Sequence, residues 1–125
     1  MPTQLSTNFS LEEFNCKDGT AVPEKYHKNL RKLVDNLQVL RDHIKEPIHI
    51  NSGYRTATYN KKVGGVKGSK HLIALAGDFT TKNFTPKELY TIITKLIKEG
   101  KMLEGGLHAY PGFVHYDPRG TNARW

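Results

Sequence analysis

The residue types best able to do chemistry in this chain fall in two short stretches. The first runs Gly68-Ser69-Lys70-His71-Leu72-Ile73-Ala74-Leu75-Ala76-Gly77-Asp78-Phe79, with a histidine and an aspartate seven positions apart. The second, Gly112-Phe113-Val114-His115-Tyr116-Asp117-Pro118-Arg119-Gly120, supplies another histidine. Imidazole nitrogen and carboxylate oxygen are both zinc donors, and a catalytic zinc takes three protein ligands and keeps one position for water. His71, Asp78 and His115 are the ligand set on offer for one zinc ion. A metal so held makes water a better nucleophile and polarises a carbonyl. The His71–Asp78 spacing does not suit one helix face, where paired ligands stand four apart. It suits a loop ligand followed by a strand ligand, and Ala74, Ala76 and Gly77 let backbone pack closely there.

In an extended strand, residues two apart share a face, so Phe113, His115 and Asp117 point the same way. Asp117 is then placed either to orient His115 or to hold a water and take its proton. Each piece alone is unspecific. His-x6-Asp arises by chance, and a histidine in an apolar strand is more often a hydrogen-bonded boundary residue.

These residues need a scaffold, and the pattern around them predicts one α+β domain over residues 1–125, with helices packed on a small, largely antiparallel sheet. Ser10-Leu11-Glu12-Glu13 reads as a capping box opening a short helix. Pro23 opens the longest helix, to about Lys45, with Leu30, Leu33, Val34, Leu37, Leu40 and Ile44 on one face. Pro47 ends it, and Ile48 to Asn51 alternates like a half-buried strand. Thr56 to Val63 reads as a short helix closed by Gly64-Gly65, and Ala76 to Thr80 as a strand. Thr85-Pro86-Lys87-Glu88 caps a helix that Gly100 stops. Gly105 to Tyr110 and Phe113 to Asp117 form a hairpin turning at Pro111-Gly112. The tail from Gly120 is short and polar except for Trp125.

Composition narrows the function. With 37% hydrophobic residues in 125, the chain can bury a core without disulfides. No apolar run approaches the roughly 20 residues of a membrane span. The first 30 residues mix charged and polar types throughout, so no signal peptide is expected. Cys16, the one cysteine, reads as a small buried apolar residue. The net charge of +7 suits an anionic partner. Nucleic acid and an anionic cell wall would both suit it, but the lysines are dispersed and carry no nucleic-acid-binding motif, so no nucleic-acid partner is expected and a solvated basic surface is the better reading for most of them.

Taken together, the stretches resemble the zinc D-alanyl-D-alanine carboxypeptidase family. That family includes phage L-alanyl-D-glutamate endopeptidases and shares its fold with the hedgehog signalling domain. The family pattern SxHxxGxAxD is matched by Ser69, His71, Ala76 and Asp78. SGYR stands as Ser52-Gly53-Tyr54-Arg55, followed by Tyr59-Asn60 and Val63-Gly64-Gly65. The late GGxGxYPxFVHxDxRG pattern is matched from Gly105 to Gly120, and Asn8 to Phe14 looks like the opening of small stand-alone members.

The resemblance implies a zinc-dependent peptidase of peptidoglycan stem peptides, of D,D-carboxypeptidase or L,D-endopeptidase type. It implies His71, Asp78 and His115 as zinc ligands, Arg55 on the substrate carbonyl or carboxylate, and Ser69 and Tyr110 beside the substrate. Arg55 in a structural ion pair is the competing reading, as is Ser69 merely capping a loop. Small size and the absence of a signal peptide point to a monomeric phage or prophage protein. It would be made in a cytoplasm and act at the wall after release or within a virion. Two departures stand out. The family glycine between the first ligands is Ala74, which a methyl group tolerates unless positive φ is required. A general-base glutamate three residues before the last ligand is Gly112 here. Asp117 and then His108 are the replacements the sequence offers, with Glu104 third. The rival is a metal-binding, catalytically weak structural or virion protein on the same fold.

Overall fold

The computed structural model describes residues 3–125. Its centre is a five-stranded sheet of β3 (Ile48–Ser52), β4 (Gly77–Thr81), β6 (Val114–Asp117), β5 (Gly106–Ala109) and β7 (Ala123–Arg124), in that spatial order. All neighbours are antiparallel except β5 and β7. A small hairpin, β1 (Gln4–Ser6) and β2 (Phe9–Ser10), stands apart from the sheet. The expected α+β architecture is what forms, and the largely antiparallel sheet with it.

Helix α1 (His27–Ile44) forms because its leucines recur at helical spacing. Leu30, Leu33, Val34, Leu37 and Leu40 are all essentially sealed from solvent. Leu33 and Leu37 pack over Gly77 on β4, where a Cβ would meet them at an ordinary 3.7 Å. Helix α3 (Pro86–Lys98) starts at the expected capping box: Thr85 N donates to Glu88 Oε1 at 2.8 Å, and Glu88 N donates to Thr85 Oγ1 at 3.1 Å. Its buried face is Leu89, Ile93 and Leu96, packed towards β5 and β6. Phe79, Leu107, Val114 and Tyr116 fill the core from the sheet. By alternation their neighbours Asp78, His108, His115 and Asp117 point to the other face.

Three local expectations differ in detail. Ser10–Glu13 caps only a single 3-10 turn, Leu11–Phe14. Pro23 precedes a 3-10 turn, Glu24–Tyr26, and the α-helix begins at His27. The helix ends at Ile44 because Lys45 turns left-handed at φ 57°, before Pro47 is reached. Short helix α2 (Ala57–Lys62) is present as expected, capped by Thr56.

Ala74 is the second non-glycine residue in the left-handed region, at φ 58°. The glycine it replaces is therefore one that answers a conformational need. Ala74 bears the strain, and its methyl is buried in the core. Relief of that strain in Ala74→Gly would be offset by the lost methyl and the freer unfolded chain, so the change should be neutral within about 1 kcal/mol. Lys45→Gly loses no buried group and should stabilise the fold by about 0.5–1 kcal/mol. Urea unfolding of both variants checks this; a destabilised Lys45→Gly would contradict it.

Candidate metal centre

Sheet register brings the site together. Asp78 on β4 lies opposite His115 on β6, and His115 lies opposite His108 on β5. His71 comes from outside the sheet, in the 3-10 turn Lys70–Ile73 rather than a plain loop. Ser69 caps that turn by accepting from His71 N at 3.2 Å. The turn closes through Ala74, which lets the chain reverse into β4.

One oxygen sits between the two rings. Asp78 Oδ1 is 2.9 Å from His115 Nδ1 and 3.2 Å from His71 Nε2. All three side chains are buried, and one donor atom from each lies within 4.8 Å of the others. The outer nitrogens decide what the inner ones present. His71 Nδ1 stands 2.7 Å from the Gly53 carbonyl, which can only accept, so this nitrogen carries the proton. His115 Nε2 stands 2.7 Å from Asp117 Oδ2 and donates there. The inner nitrogens, His71 Nε2 and His115 Nδ1, then turn lone pairs towards a carboxylate oxygen. A shared proton can reconcile His115 with Asp78. It cannot serve His71, whose Nε2 is buried without a hydrogen-bond partner. A cation among the three satisfies every atom, and histidine ligands held by a carbonyl or carboxylate on the far nitrogen are the usual arrangement at metals. The donor set fits zinc, and two imidazoles with one carboxylate leave a coordination position open.

Each ligand has a keeper. Gly53 passes so close to the Phe14 backbone that a Cβ would stand 2.8 Å from Phe14 Cα, and this approach aims the Gly53 carbonyl at His71. Arg55 donates to Asp78 Oδ2 at 3.1 Å, to Ser52 Oγ at 3.0 Å and to Asn60 Oδ1 at 3.2 Å. Asn60 in turn donates to the Val66 carbonyl at 2.9 Å, tying Arg55 to the loop beyond α2. Arg119 grips Asp117 with two bonds, 2.7 and 2.9 Å, and Gly106 N donates to it at 3.2 Å. A Cβ on Gly106 would overlap the Asp117 carboxylate, and one on Gly105 the Asp117 backbone carbonyl. The paired glycines are there for close approach.

Electrostatics follow the geometry. Burial works against the charge of Asp78, yet the bond to His115 and the nearby His71 hold its carboxyl well below the usual carboxylate range. Asp117 is likewise opposed by burial and held low by Arg119 and His115. For His115, burial disfavours the charged ring, but Asp117 and Asp78 outweigh it and raise its pKa above the ordinary value.

The centre lies in a cleft of about 650 Å³, lined also by Arg55, Ser69, Tyr110 and Trp125. The structure thus brings the three expected ligands together, with Arg55, Ser69 and Tyr110 beside them. It does not bring the expected proton carriers into the cleft. Asp117 is 0% exposed, and both its oxygens are engaged. Of its two possible roles, these surroundings support orienting His115. His108 is stacked against Trp125, 5.4 Å between centroids and 4° from parallel, and does not line the cleft. Glu104 is paired with Arg124 at 2.8 Å. Arg55 is both things the sequence allowed: it forms the ion pair with Asp78 and still lines the cleft. Asn60, Arg119 and Trp125 are site residues whose place was not read from the sequence. For Asn60 and Arg119 the signal was their position inside the motifs. For Trp125, its being the one aromatic residue of the tail was the only hint.

The three buried donors at an open cleft are an arrangement that could hold one metal ion within reach of a substrate. The model of the Peptidase M15 family matches residues 7–117, which include all three candidate ligands, and the chain belongs to this family of metal-dependent peptidases. No curated protein matches the chain.

Two predictions follow from the keepers and from the raised His115. Asp117→Asn, or Gly106→Ala, should lower metal affinity about 10–100-fold in a folded protein, as loss of outer-shell partners does elsewhere; unchanged affinity by titration against a competing chelator would contradict the assignment. Because a metal competes with a proton that His115 takes up more readily than an ordinary imidazole, uptake should release protons increasingly as the pH is lowered, and affinity should fall in acid. Calorimetry in buffers of different ionisation enthalpy reads this directly. Identical heats in all buffers would refute it.

Proposed function

We propose that this protein is a zinc-dependent peptidase that hydrolyses peptide bonds in peptidoglycan stem peptides. The observation that carries the reading is the convergence of His71 Nε2, His115 Nδ1 and Asp78 Oδ1, in a chain of the Peptidase M15 family. A zinc ion held by those three residues would supply Lewis-acid polarisation of a carbonyl and an acidified water.

The remaining chemistry falls to groups of the chain. Arg55 uses three of its five N–H donors on Ser52, Asn60 and Asp78, which leaves two for a substrate oxygen at the cleft. Its fork is preset by those bonds, so little freedom is lost when substrate arrives. Tyr110 accepts at its hydroxyl from Trp125 Nε1, 3.0 Å away, so its own proton is free to donate to a substrate oxygen. Ser69 Oγ accepts from the His71 amide and lines the same cleft, with its hydroxyl proton available. The net charge of +7 favours an anionic wall as the place of action. We place the protein in phage lysis or wall opening at virion entry, acting as a monomer after synthesis in a host cytoplasm.

One observation favours a second reading, a metal-binding wall or virion protein with weak catalysis. Asp78 is the only carboxylate lining the cleft, so a free carboxylate base is lacking among the described residues. Elemental analysis and peptidoglycan digestion on the same samples separate the two. One zinc per chain and EDTA-sensitive release of stem-peptide fragments, both lost in His115→Ala, are expected. Zinc without cleavage would establish the second reading, and no metal in folded wild type would sink both.

A further inference from the structure

Between α2 and the ligand His71 the chain runs Val63-Gly64-Gly65-Val66-Lys67-Gly68-Ser69, and most of this segment lines the cleft. Val66 is 73% exposed there. The three glycines bring no side chains to pack, so the wall depends on bonds to its main chain.

One buried side chain supplies them. Asn60, in α2 and 4% exposed, accepts at Oδ1 from Arg55 Nη1 at 3.2 Å and donates from Nδ2 to the Val66 carbonyl at 2.9 Å. The guanidinium can only donate and the carbonyl only accept, so the partners fix which way the carboxamide points. The Asn60 main-chain carbonyl also takes the Gly65 N–H at 2.8 Å. Gly65 lies directly on this carboxamide: a Cβ there would overlap Asn60 Oδ1 and stand 3.0 Å from Arg55 Nη1.

These bonds close a circuit. The Val66 carbonyl accepts a second bond, from Ser69 N at 3.1 Å. Ser69 Oγ accepts from His71 N at 3.2 Å, and the His71 carbonyl accepts from Arg55 N at 3.0 Å. From the Arg55 side chain the path thus runs through Asn60, Val66, Ser69 and His71 and returns to the Arg55 main chain. Arg55 Nη2 meanwhile holds Asp78 at 3.1 Å. A single carboxamide therefore joins the cation of the cleft to the wall and to the turn that carries a ligand. Among side chains of this shape, aspartate lacks the donor and leucine lacks both functions.

We propose that Asn60 is a positioning residue for the peptidase reaction and acts through Arg55. It aims the two uncommitted guanidinium donors into the cleft and holds the wall at a set distance from them, so that cation and wall meet the substrate as one preset surface. Gly65 is glycine because the wall must touch the carboxamide itself. The proposal rests on the peptidase reading above, and its test tells the two apart.

Asn60→Ala, Gly65→Ala and the double variant are compared with wild type, each loaded with zinc, and again in an Arg55→Ala background. Calorimetry gives the affinity for a stem-type peptide, and cleavage of that peptide gives kcat and KM. Nitrogen-edited NMR of the peptide-free chain reads the Arg55 guanidinium. Each single variant should keep its zinc, bind peptide about tenfold more weakly and lower kcat/KM about 10–100-fold. The double variant should be no worse than either single one, because the added methyl no longer meets a carboxamide. In the Arg55→Ala background each change should cost less than about twofold. The Arg55 Nη signals, separate while the fork is pinned, should merge through rotation in both single variants. Losses that persist undiminished without Arg55 would make Asn60 a purely structural bond and overturn the proposal. A Gly65→Ala chain with wild-type affinity and guanidinium signals would overturn it too. Should Asn60→Ala fail to fold, Gly65→Ala, which leaves the asparagine in place, decides by the same criteria. A wild type that binds peptide with this dependence on Asn60 and Arg55 yet never cleaves it would instead overturn the peptidase reading and leave Asn60 positioning a binding site.

Discussion

A carboxylate oxygen pressed between two imidazole nitrogens is unstable company unless something positive joins them. Asp78 Oδ1 is in that position, and His71 Nε2 has nowhere else to turn. Much of the surrounding structure serves to keep these atoms together. β4 and β6 are paired so that Asp78 and His115 stand opposite. The Lys70–Ile73 turn carries His71 in from the side, and three separate outer contacts fix the rings and the carboxylate. Those contacts come from Gly53 and Arg55 in the loop after β3 and from Asp117 on β6, itself held by β5 and the segment after β6, so the centre joins parts of the chain far apart in sequence. A cation bound there would tie β4, β6 and the turn to one another, and its binding free energy would then also be folding free energy.

The sequence was most legible where periodicity or a motif records a physical need. Helix α1 was readable from its leucines, α3 from its capping box and the hairpin from Pro111-Gly112, because each signal is local. The three ligands were readable as residue types but became a convincing set only through the ordered motifs around them. The role of Gly53 was hidden. Nothing in a tetrapeptide says that its glycine must slide against Phe14 so that its carbonyl can reach His71. Ala74 shows the reverse case. Its departure from the family glycine was visible, and only the backbone angle of 58° showed that the position needs the left-handed region.

Asp117 marks the limit of strand alternation as a guide. Alternation placed it on the same face as His115, and that is where it lies. Alternation says nothing about depth, and depth decides chemistry here. Gly105 and Gly106 let β5 close down on Asp117 while Arg119 occupies its remaining lone pairs. A carboxylate that reads as a reachable base in one dimension is a sealed strut in three. With its pKa held low by the same partners, it remains an acceptor for the proton on His115 Nε2 and leaves Nδ1 as the nitrogen that faces Asp78.

The tail was the least legible part, and the reason is physical. β7 joins the sheet by parallel main-chain pairing of only two residues, which leaves no hydrophobic period to detect. Side chains supply the rest of the anchorage: Arg124 holds the Gly105 carbonyl and Glu104. The same short stretch of β5 and its approach therefore performs two tasks. On one side Gly106 closes over Asp117 and steadies His115; on the other Gly105 receives the arm that carries Trp125. A change at Gly105 or Gly106 would reach the metal ligand and the aromatic wall together. The metal centre and the wall facing its occupant are in this sense one mechanical unit, although one belongs to the family's shared segment and the other lies beyond it.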